Sequence, residues 1–151
     1  MRIHAVPVAD SMRRWAPYPP QGVPRAWTGH RQAWERAVAA YEVEQPASDR
    51  VFLHRDFHPG NVLWEAGRVV GVVDWVLSCT GPPEVDVTHC RANLASHHGQ
   101  ETADRFLELW QQASGRTCYN PYWDLVDVVS IGSDLPDERL DEFVAAAAAR
   151  L

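Results

Sequence analysis

The sequence predicts an α+β fold that is mainly helical and carries one small β-hairpin. One segment, residues 29–44, repeats apolar residues at helical spacing, which is typical of an amphipathic helix, and the last segment ends in an alanine run of high helix propensity. Two short apolar runs, 62–64 and 68–74, are separated by a tight glycine-containing turn, which indicates a hairpin. The chain has 151 residues and is 46% hydrophobic, enough to bury one core. We therefore expect a single domain over residues 1–151.

The first part of this domain is predicted to be an irregular arm over residues 1–27. Five prolines in this stretch disfavour a long helix or a central strand. Thr28 is a plausible N-cap for a helix over residues 29–44, since its hydroxyl can accept a backbone hydrogen bond. The apolar residues of this helix recur at helical spacing: Trp34, Val38 and Tyr41. The body of the domain is then predicted to cover residues 28–151.

A short buried strand is predicted over residues 51–53, and it leads into a loop over 54–61 that contains Pro59 and Gly60. The hairpin follows this loop directly. Because the open ends of two antiparallel strands meet, Asn61 and Asp74 at the outer ends of the hairpin should be neighbours.

The rest of the chain is predicted to be helical after a loop over residues 76–82. Pro83 suits the first turn of a helix that Gly99 would stop. The last helix contains an alanine run of high helix propensity. The four predicted helices cover residues 83–98, 101–113, 122–131 and 137–150.

Composition excludes several classes of function. The formal net charge is −6, so the chain lacks the overall basic surface that nucleic-acid binding requires. Its apolar stretches are too short to span a membrane, and the N-terminus has no apolar signal region. The three cysteines, Cys79, Cys90 and Cys118, form no C-x-x-C pair, which suits reduced thiols. We expect a cytoplasmic protein that binds neither nucleic acid nor membrane.

The most informative motif is His-Arg-Asp-Phe-His-Pro-Gly-Asn at residues 54–61. Its Asp56 and Asn61 stand five positions apart, and Asp74 ends the following apolar run. Phosphoryl transfer to an alcohol needs a carboxylate that orients the hydroxyl and takes its proton, and oxygen ligands for Mg²⁺. The pattern therefore predicts Asp56 as the base and Asn61 and Asp74 as magnesium ligands.

This motif, followed by Gly-Arg-Val-Val-Gly-Val-Val-Asp-Trp and Gly-Pro-Pro-Glu-Val-Asp-Val, resembles the aminoglycoside phosphotransferase family of small-molecule kinases from about Val51 to Leu94. The resemblance implies a protein-kinase-like C-terminal lobe and transfer of the γ-phosphate of ATP or GTP to a small-molecule hydroxyl. It also implies that His54 organises the loop and that Asp86 supports the loop from behind.

The chain contains no lysine and no G-x-G-x-x-G loop, since all 14 basic residues are arginine. Kinases use such a lysine and loop to hold the nucleotide phosphates. We therefore expect that the N-terminal nucleotide-binding lobe is absent, that ATP or GTP binds weakly or not at all, and that the chain is part of a longer enzyme. The alternatives are a free-standing lobe that is a catalytically inactive binding module, or one that forms a homo-oligomer.

Other polar residues leave alternatives open. Arg55 could bind an acidic or phosphorylated group or pair with a surface carboxylate, and His58 could belong to a transition-metal site, although its neighbours lack a recognised ligand spacing. A further group could line or attract a cationic acceptor, or could be helix ends, core aromatics and solvated carboxylates. Its members are His97, His98, Trp110, Trp123, Asp124, Asp127, Asp134, Asp137, Glu138, Asp141 and Glu142.

Overall fold

The computed structural model describes residues 3–130 and 135–151. Within these residues it contains five α-helices and two antiparallel sheets of two strands each, so the predicted mainly helical α+β class is confirmed. The helices are α1 (Arg31–Tyr41), α2 (Glu84–His98), α3 (Gln100–Ser114), α4 (Tyr122–Ser130) and α5 (Glu138–Ala148). The strands are β1 (Val51–Leu53), β2 (Val62–Glu65), β3 (Arg68–Val72) and β4 (Cys79–Gly81).

The second sheet was not predicted, because β4 lies inside the stretch expected to be a loop. Strand β4 pairs with β1, with Leu53 opposite Cys79. The N-terminal arm extends this sheet, since Trp15 donates its backbone N–H to the Thr80 carbonyl at 2.7 Å. Apart from a 3₁₀ turn at Ile3–Ala5, the described part of the arm is irregular, as predicted.

The predicted hairpin is confirmed, although it is shorter than expected. Strands β2 and β3 pair from Val62 opposite Val72 to Glu65 opposite Arg68. The turn residues Ala66 and Gly67 both have positive φ angles, 47° and 74°, as the tight turn of a hairpin requires. Strand β3 ends at Val72, so the chain leaves the ladder two residues before Asp74.

The prediction that Thr28 caps α1 is wrong. His30 occupies the N-cap position and makes no capping bond with its side chain. Thr28 instead donates its hydroxyl to Asp141 of α5 and accepts the His30 N–H at 2.8 Å. The helix also stops at Tyr41, three residues before the predicted end at 44, and the chain turns at residues 42–43.

The remaining helices agree with the prediction to within about two residues, as is usual for helix ends. Gly99, with φ of 89°, separates α2 from α3. Asp137 caps α5 by accepting the Leu140 N–H at 2.9 Å. The predicted end of α4 at Ile131 and the acidic residue Asp134 lie outside the described residues.

Helix α2 forms the centre of the helical body and packs against α3, α4 and α5. Its buried polar side chains include Arg91, which donates to the Asp124 carboxylate of α4 at 3.1 Å with both side chains fully buried. Cys79, Cys90 and Cys118 are all free thiols. No helix within residues 3–130 and 135–151 is long and apolar enough to span a membrane.

Candidate active site

The loop from His54 to Asn61 is anchored to the start of α2 by one buried carboxylate. Asp86 accepts the backbone N–H of His54 at 3.0 Å and that of Arg55 at 2.7 Å, one on each oxygen. His4 of the arm contacts the same carboxylate at 3.1 Å. A carboxylate that accepts two adjacent N–H groups fixes the local backbone, and its place in the first turn of a helix is favourable for a negative charge.

This anchoring holds Arg55 in an unusual conformation, with φ of 76°. Left-handed backbone is rare for residues with a side chain, and it persists where the surrounding contacts impose it. The two bonds to Asp86 are such contacts. The turn at Arg55 directs the next residue, Asp56, to a partly exposed position with 31% of its side chain accessible.

Both carboxylate oxygens of Asp56 have polar neighbours. The amide of Asn61 donates through Nδ2 to Oδ2 at 3.2 Å and to the backbone carbonyl of Asp56 at 2.9 Å. The Nε2 atom of His89, from α2, lies 3.1 Å from Oδ1. The carboxylate is therefore held from two sides while part of it remains open to solvent, an arrangement that suits a group that must meet a substrate hydroxyl.

His89 is a polar residue of this site that the sequence analysis did not name, and Asp127 was named there only among the carboxylates that could attract a cationic acceptor. The other ring nitrogen of His89, Nδ1, is 3.2 Å from Oδ2 of Asp127 in α4. Asp127 also pairs with Arg55 at 3.6 Å, and both of these side chains are over nine-tenths buried. The spacing of Asp86 and His89 could have indicated the connection, because residues three apart on a helix lie on the same face.

Burial acts to lower the pKa of His89, but the carboxylates of Asp127 and Asp56 more than offset this effect. The pKa of His89 is therefore raised above its ordinary value, although the nearby Arg55 guanidinium works in the opposite direction. A raised pKa favours the imidazolium form between the two carboxylates.

His54 joins the loop to the end of the hairpin. Its Nε2 atom lies 2.8 Å from the Val73 carbonyl, so the ring donates there because a carbonyl can only accept. The ring is fully buried and meets the Trp75 ring edge to face at 4.5 Å. His54 thus holds the backbone at Val73, the residue that precedes Asp74.

The backbone segments that carry Asn61 and Asp74 lie side by side, because Val73 donates its N–H to the Asn61 carbonyl at 3.0 Å. Asp74 is exposed and has a left-handed backbone, with φ of 63°. The Asn61 amide uses Nδ2 for Asp56, so Oδ1 is the atom it can offer to a cation. One amide oxygen and one carboxylate fit Mg²⁺, which takes few protein ligands and completes its shell with water and phosphate.

Within residues 3–130 and 135–151, no group of three or more histidine, cysteine, aspartate or glutamate side chains could hold a metal ion by itself. His58 lies 3.9 Å from Asp56 and caps the 3₁₀ turn at Pro59–Asn61 by accepting the Gly60 N–H. A dedicated zinc-type site around His58 therefore has no support in the described part of the chain.

The other candidates mostly take part in internal contacts. Arg55 stacks over the Tyr18 ring at 4.9 Å, in addition to its pair with Asp127. Trp110 and Trp123 are 3% exposed and belong to the interior, while His97, His98, Glu138 and Glu142 are exposed. The carboxylates with partners inside the fold are Asp124, Asp127, Asp137 and Asp141.

A scan against protein-family models matches residues 2–124, more than half of the chain, to the model described as "Phosphotransferase enzyme family". The matched segment contains the loop, the hairpin, α2 and the start of α4. No curated protein sequence matches the chain.

Proposed function

The chain belongs to the phosphotransferase enzyme family, and from this premise we propose that it transfers the γ-phosphate of ATP or GTP to the hydroxyl of a small molecule. The observation that carries the proposal is the Asp56 carboxylate, which Asn61 and His89 hold from two sides while 31% of the side chain stays accessible. Its loop is fixed from behind by Asp86.

In the proposed reaction, Asp56 accepts a hydrogen bond from the acceptor hydroxyl and orients its oxygen toward the phosphorus atom. As the new oxygen–phosphorus bond forms and the bond to the leaving nucleoside diphosphate breaks, the hydroxyl proton passes to Asp56. Such a carboxylate acts mainly by orientation and takes the proton late. Proton transfer by a positioned side chain contributes about 10²–10⁴-fold to the rate of comparable reactions.

Asn61 and Asp74 are the residues that would hold Mg²⁺, which when bound neutralises phosphate charge and fixes the phosphates in position. The contribution of the chain is to hold Asn61 against Asp56 and to hold the backbone next to Asp74 against Asn61. The Asn61 amide bonds directly to Asp56 through Nδ2. Asp74 is kept near by the Val73 backbone, which bonds to the carbonyl of Asn61 and, through its own carbonyl, to His54.

The nucleotide phosphates would have to be held without lysine, because all 14 basic residues of the chain are arginine. In kinases, a lysine and a glycine-rich loop neutralise and cover the phosphates. We propose that these contacts come from a further lobe or a partner chain. Nucleotide affinity of the isolated chain should then be low, and it should rise when such a lobe is supplied.

The proposal is tested by calorimetry with MgATP and MgGTP and by phosphate transfer to a panel of hydroxyl acceptors that includes aminoglycosides, choline-like alcohols and sugars. Asp56→Asn should retain nucleotide binding and lose transfer by about 10²–10⁴-fold. Asp74→Gly, which suits the left-handed backbone at this position, should weaken magnesium-dependent binding. Glu101→Gln, an exposed carboxylate on α3, is the matched control.

A second candidate function is a binding module that keeps the fold without turnover, and the lack of lysine is the observation that favours it. The same measurements separate the two candidates. Magnesium-dependent nucleotide binding with no transfer to any acceptor, even after a nucleotide-binding lobe is supplied, would reject the enzyme and favour the module. Transfer that Asp56→Asn leaves unchanged would reject Asp56 as the base.

A further inference from the structure

Four side chains that can carry charge form one connected group, and they are Arg55, Asp56, His89 and Asp127. His89 stands between two carboxylates, with Nε2 at 3.1 Å from Asp56 and Nδ1 at 3.2 Å from Asp127. Arg55 approaches the second oxygen of Asp127 at 3.6 Å. The group draws on the loop, α2 and α4, so three separate parts of the fold meet at the His89 ring.

The two partners of His89 determine its protonation. An ionised carboxylate only accepts hydrogen bonds, whereas a neutral imidazole has a single N–H to give. A ring that faces a carboxylate with each nitrogen can therefore satisfy both only as the imidazolium, with two N–H groups. The raised pKa of His89 agrees with this geometry, because Asp127 and Asp56 offset the opposing effect of burial.

The charges of the group then balance, with His89 and Arg55 positive and Asp56 and Asp127 negative. This balance matters because Asp127 is 6% exposed, and a buried carboxylate needs paired charge to be tolerated. Further titratable neighbours are Asp86, which accepts the Arg55 N–H at 2.7 Å, and His58 of the loop, whose ring lies 6.0 Å from that of His89. Of the four groups, Asp56 alone is substantially open to solvent, with 31% accessibility against 16% for His89.

We propose that His89, clamped by Asp127, is a positioning residue that holds the Asp56 carboxylate in one orientation from behind while Asn61 holds it from the side. The inference rests on the proposed function, in which Asp56 must meet the acceptor hydroxyl in a fixed geometry. His89 does not touch the substrate in this scheme. It links the Asp56 carboxylate, which lies on a loop, to the packed helices α2 and α4.

The first test measures how strongly His89 is coupled to Asp56 and Asp127, and it does not require the protein to turn over a substrate. Nitrogen-15 NMR of the seven histidine rings, with His89 assigned from the signals that disappear in His89→Asn, gives its titration midpoint and protonation pattern. We expect a midpoint above the ordinary value of about 6.5 and a downward shift in both Asp127→Asn and Asp56→Asn. Glu101→Gln, an exposed carboxylate on α3, is the control and should leave the midpoint in place.

The second test uses two conservative replacements of His89 that divide its contacts. Asparagine can place an amide near the position of Nδ1 and keep the bond to Asp127, whereas glutamine can reach the position of Nε2 and keep the contact with Asp56. Phosphate transfer from MgATP or MgGTP to a hydroxyl acceptor, measured with a nucleotide-binding lobe supplied, should fall in His89→Asn by up to about 10²-fold, the effect of a small misplacement of a catalytic group. His89→Gln should recover part of the rate, with thermal unfolding measured for both variants.

The outcomes separate this inference from the proposed function. A His89 midpoint at or below about 6.5 that neither Asp substitution moves would overturn the inference. Wild-type turnover that both His89 variants retain in full would also overturn it, while leaving the proposed function intact. If no transfer occurs even after a nucleotide-binding lobe is supplied, but the NMR coupling is present, the proposed function fails and the coupling between His89 and Asp56 stands.

Discussion

The loop from His54 to Asn61 carries Asp56 and Asn61 of the candidate site, and the hairpin of β2 and β3 leads to Asp74, yet the two segments are fixed in different ways. The loop is tied to α2 by Asp86 and His89, and all three of His54, Arg55 and Asn61 are buried. The hairpin instead presents large apolar side chains to solvent, with Trp64 at 64% and Val70 at 58% exposure.

The difference teaches that Asp56, the proposed acid–base residue, and Asp74, a proposed metal ligand, depend on different parts of the protein. The helical core orders Asp56, because the groups that contact its loop come from α2 and, through Asp127, from α4. Asp74 is exposed and joins the core mainly through the neighbouring Val73 backbone. Substitutions behind the loop should therefore alter stability and catalysis together, whereas substitutions on the hairpin should affect ligands or partners and leave stability nearly unchanged.

The largest effect should come from Asp86→Ala. The substitution leaves the backbone N–H groups of His54 and Arg55 without their acceptor in a buried place, at about 1–3 kcal/mol for each unsatisfied group. We expect the free energy of unfolding in urea to fall by about 3 kcal/mol with an unchanged m-value. Asp74→Gly is the matched control on the hairpin side, and an equal loss in that variant would contradict the comparison.

A smaller effect is expected at Arg55, where side chain and backbone can be separated. Arg55→Ala and Arg55→Gly both remove the pair with Asp127 and the stacking on Tyr18. Only glycine adopts the φ of 76° at this position without backbone strain. The glycine variant should be more stable by about 1 kcal/mol, the penalty for a left-handed residue that carries a Cβ atom. Equal unfolding midpoints for the two variants would show that the loop relaxes at this position.

The pH dependence of stability provides a further test of the loop. A histidine whose pKa is higher in the folded than in the unfolded protein contributes stability that is fully present below the unfolded value of about 6.5. For His89 this contribution should be lost as pH rises through its raised folded pKa. Urea unfolding between pH 6 and 9 should show the decline in wild type and a weaker decline in Asp127→Asn. An unchanged slope in that variant would contradict the role of Asp127.

Much of this site could be predicted from the sequence because its residues are close in the chain. Asp56 and Asn61 belong to one loop, the hairpin between Asn61 and Asp74 predicts that these two residues are neighbours, and local turn residues determine the hairpin. The position of Asp86 behind the loop followed from the family resemblance rather than from spacing. Its two bonds to the backbone of His54 and Arg55 agree with the expected support of the loop.

The features that could not be predicted depend on contacts between distant residues. Strand β4 is three residues long and exists because it pairs with β1, across the whole intervening hairpin. The start of α1 depends on Asp141, which accepts the Thr28 hydroxyl from more than a hundred residues away. His89 meets Asp127 only after α2 and α4 pack together. No local pattern carries the pairing of β4 with β1, of Thr28 with Asp141 or of His89 with Asp127, since the two partners of each pair are far apart in the chain.

The smallest effect should come from the exposed face of the hairpin. Val70→Thr keeps the β-branched shape that suits a strand and replaces one methyl group with a hydroxyl at a position that is 58% exposed. The free energy of unfolding should change by no more than about 0.5 kcal/mol, as for most surface substitutions. Val128→Thr in the buried part of α4 is the matched control, where the same chemical change should cost clearly more because a hydroxyl is buried. A loss at Val70 as large as that at Val128 would mean that the hairpin is as much a part of the core as α4, and the contrast between loop and hairpin would have to be abandoned.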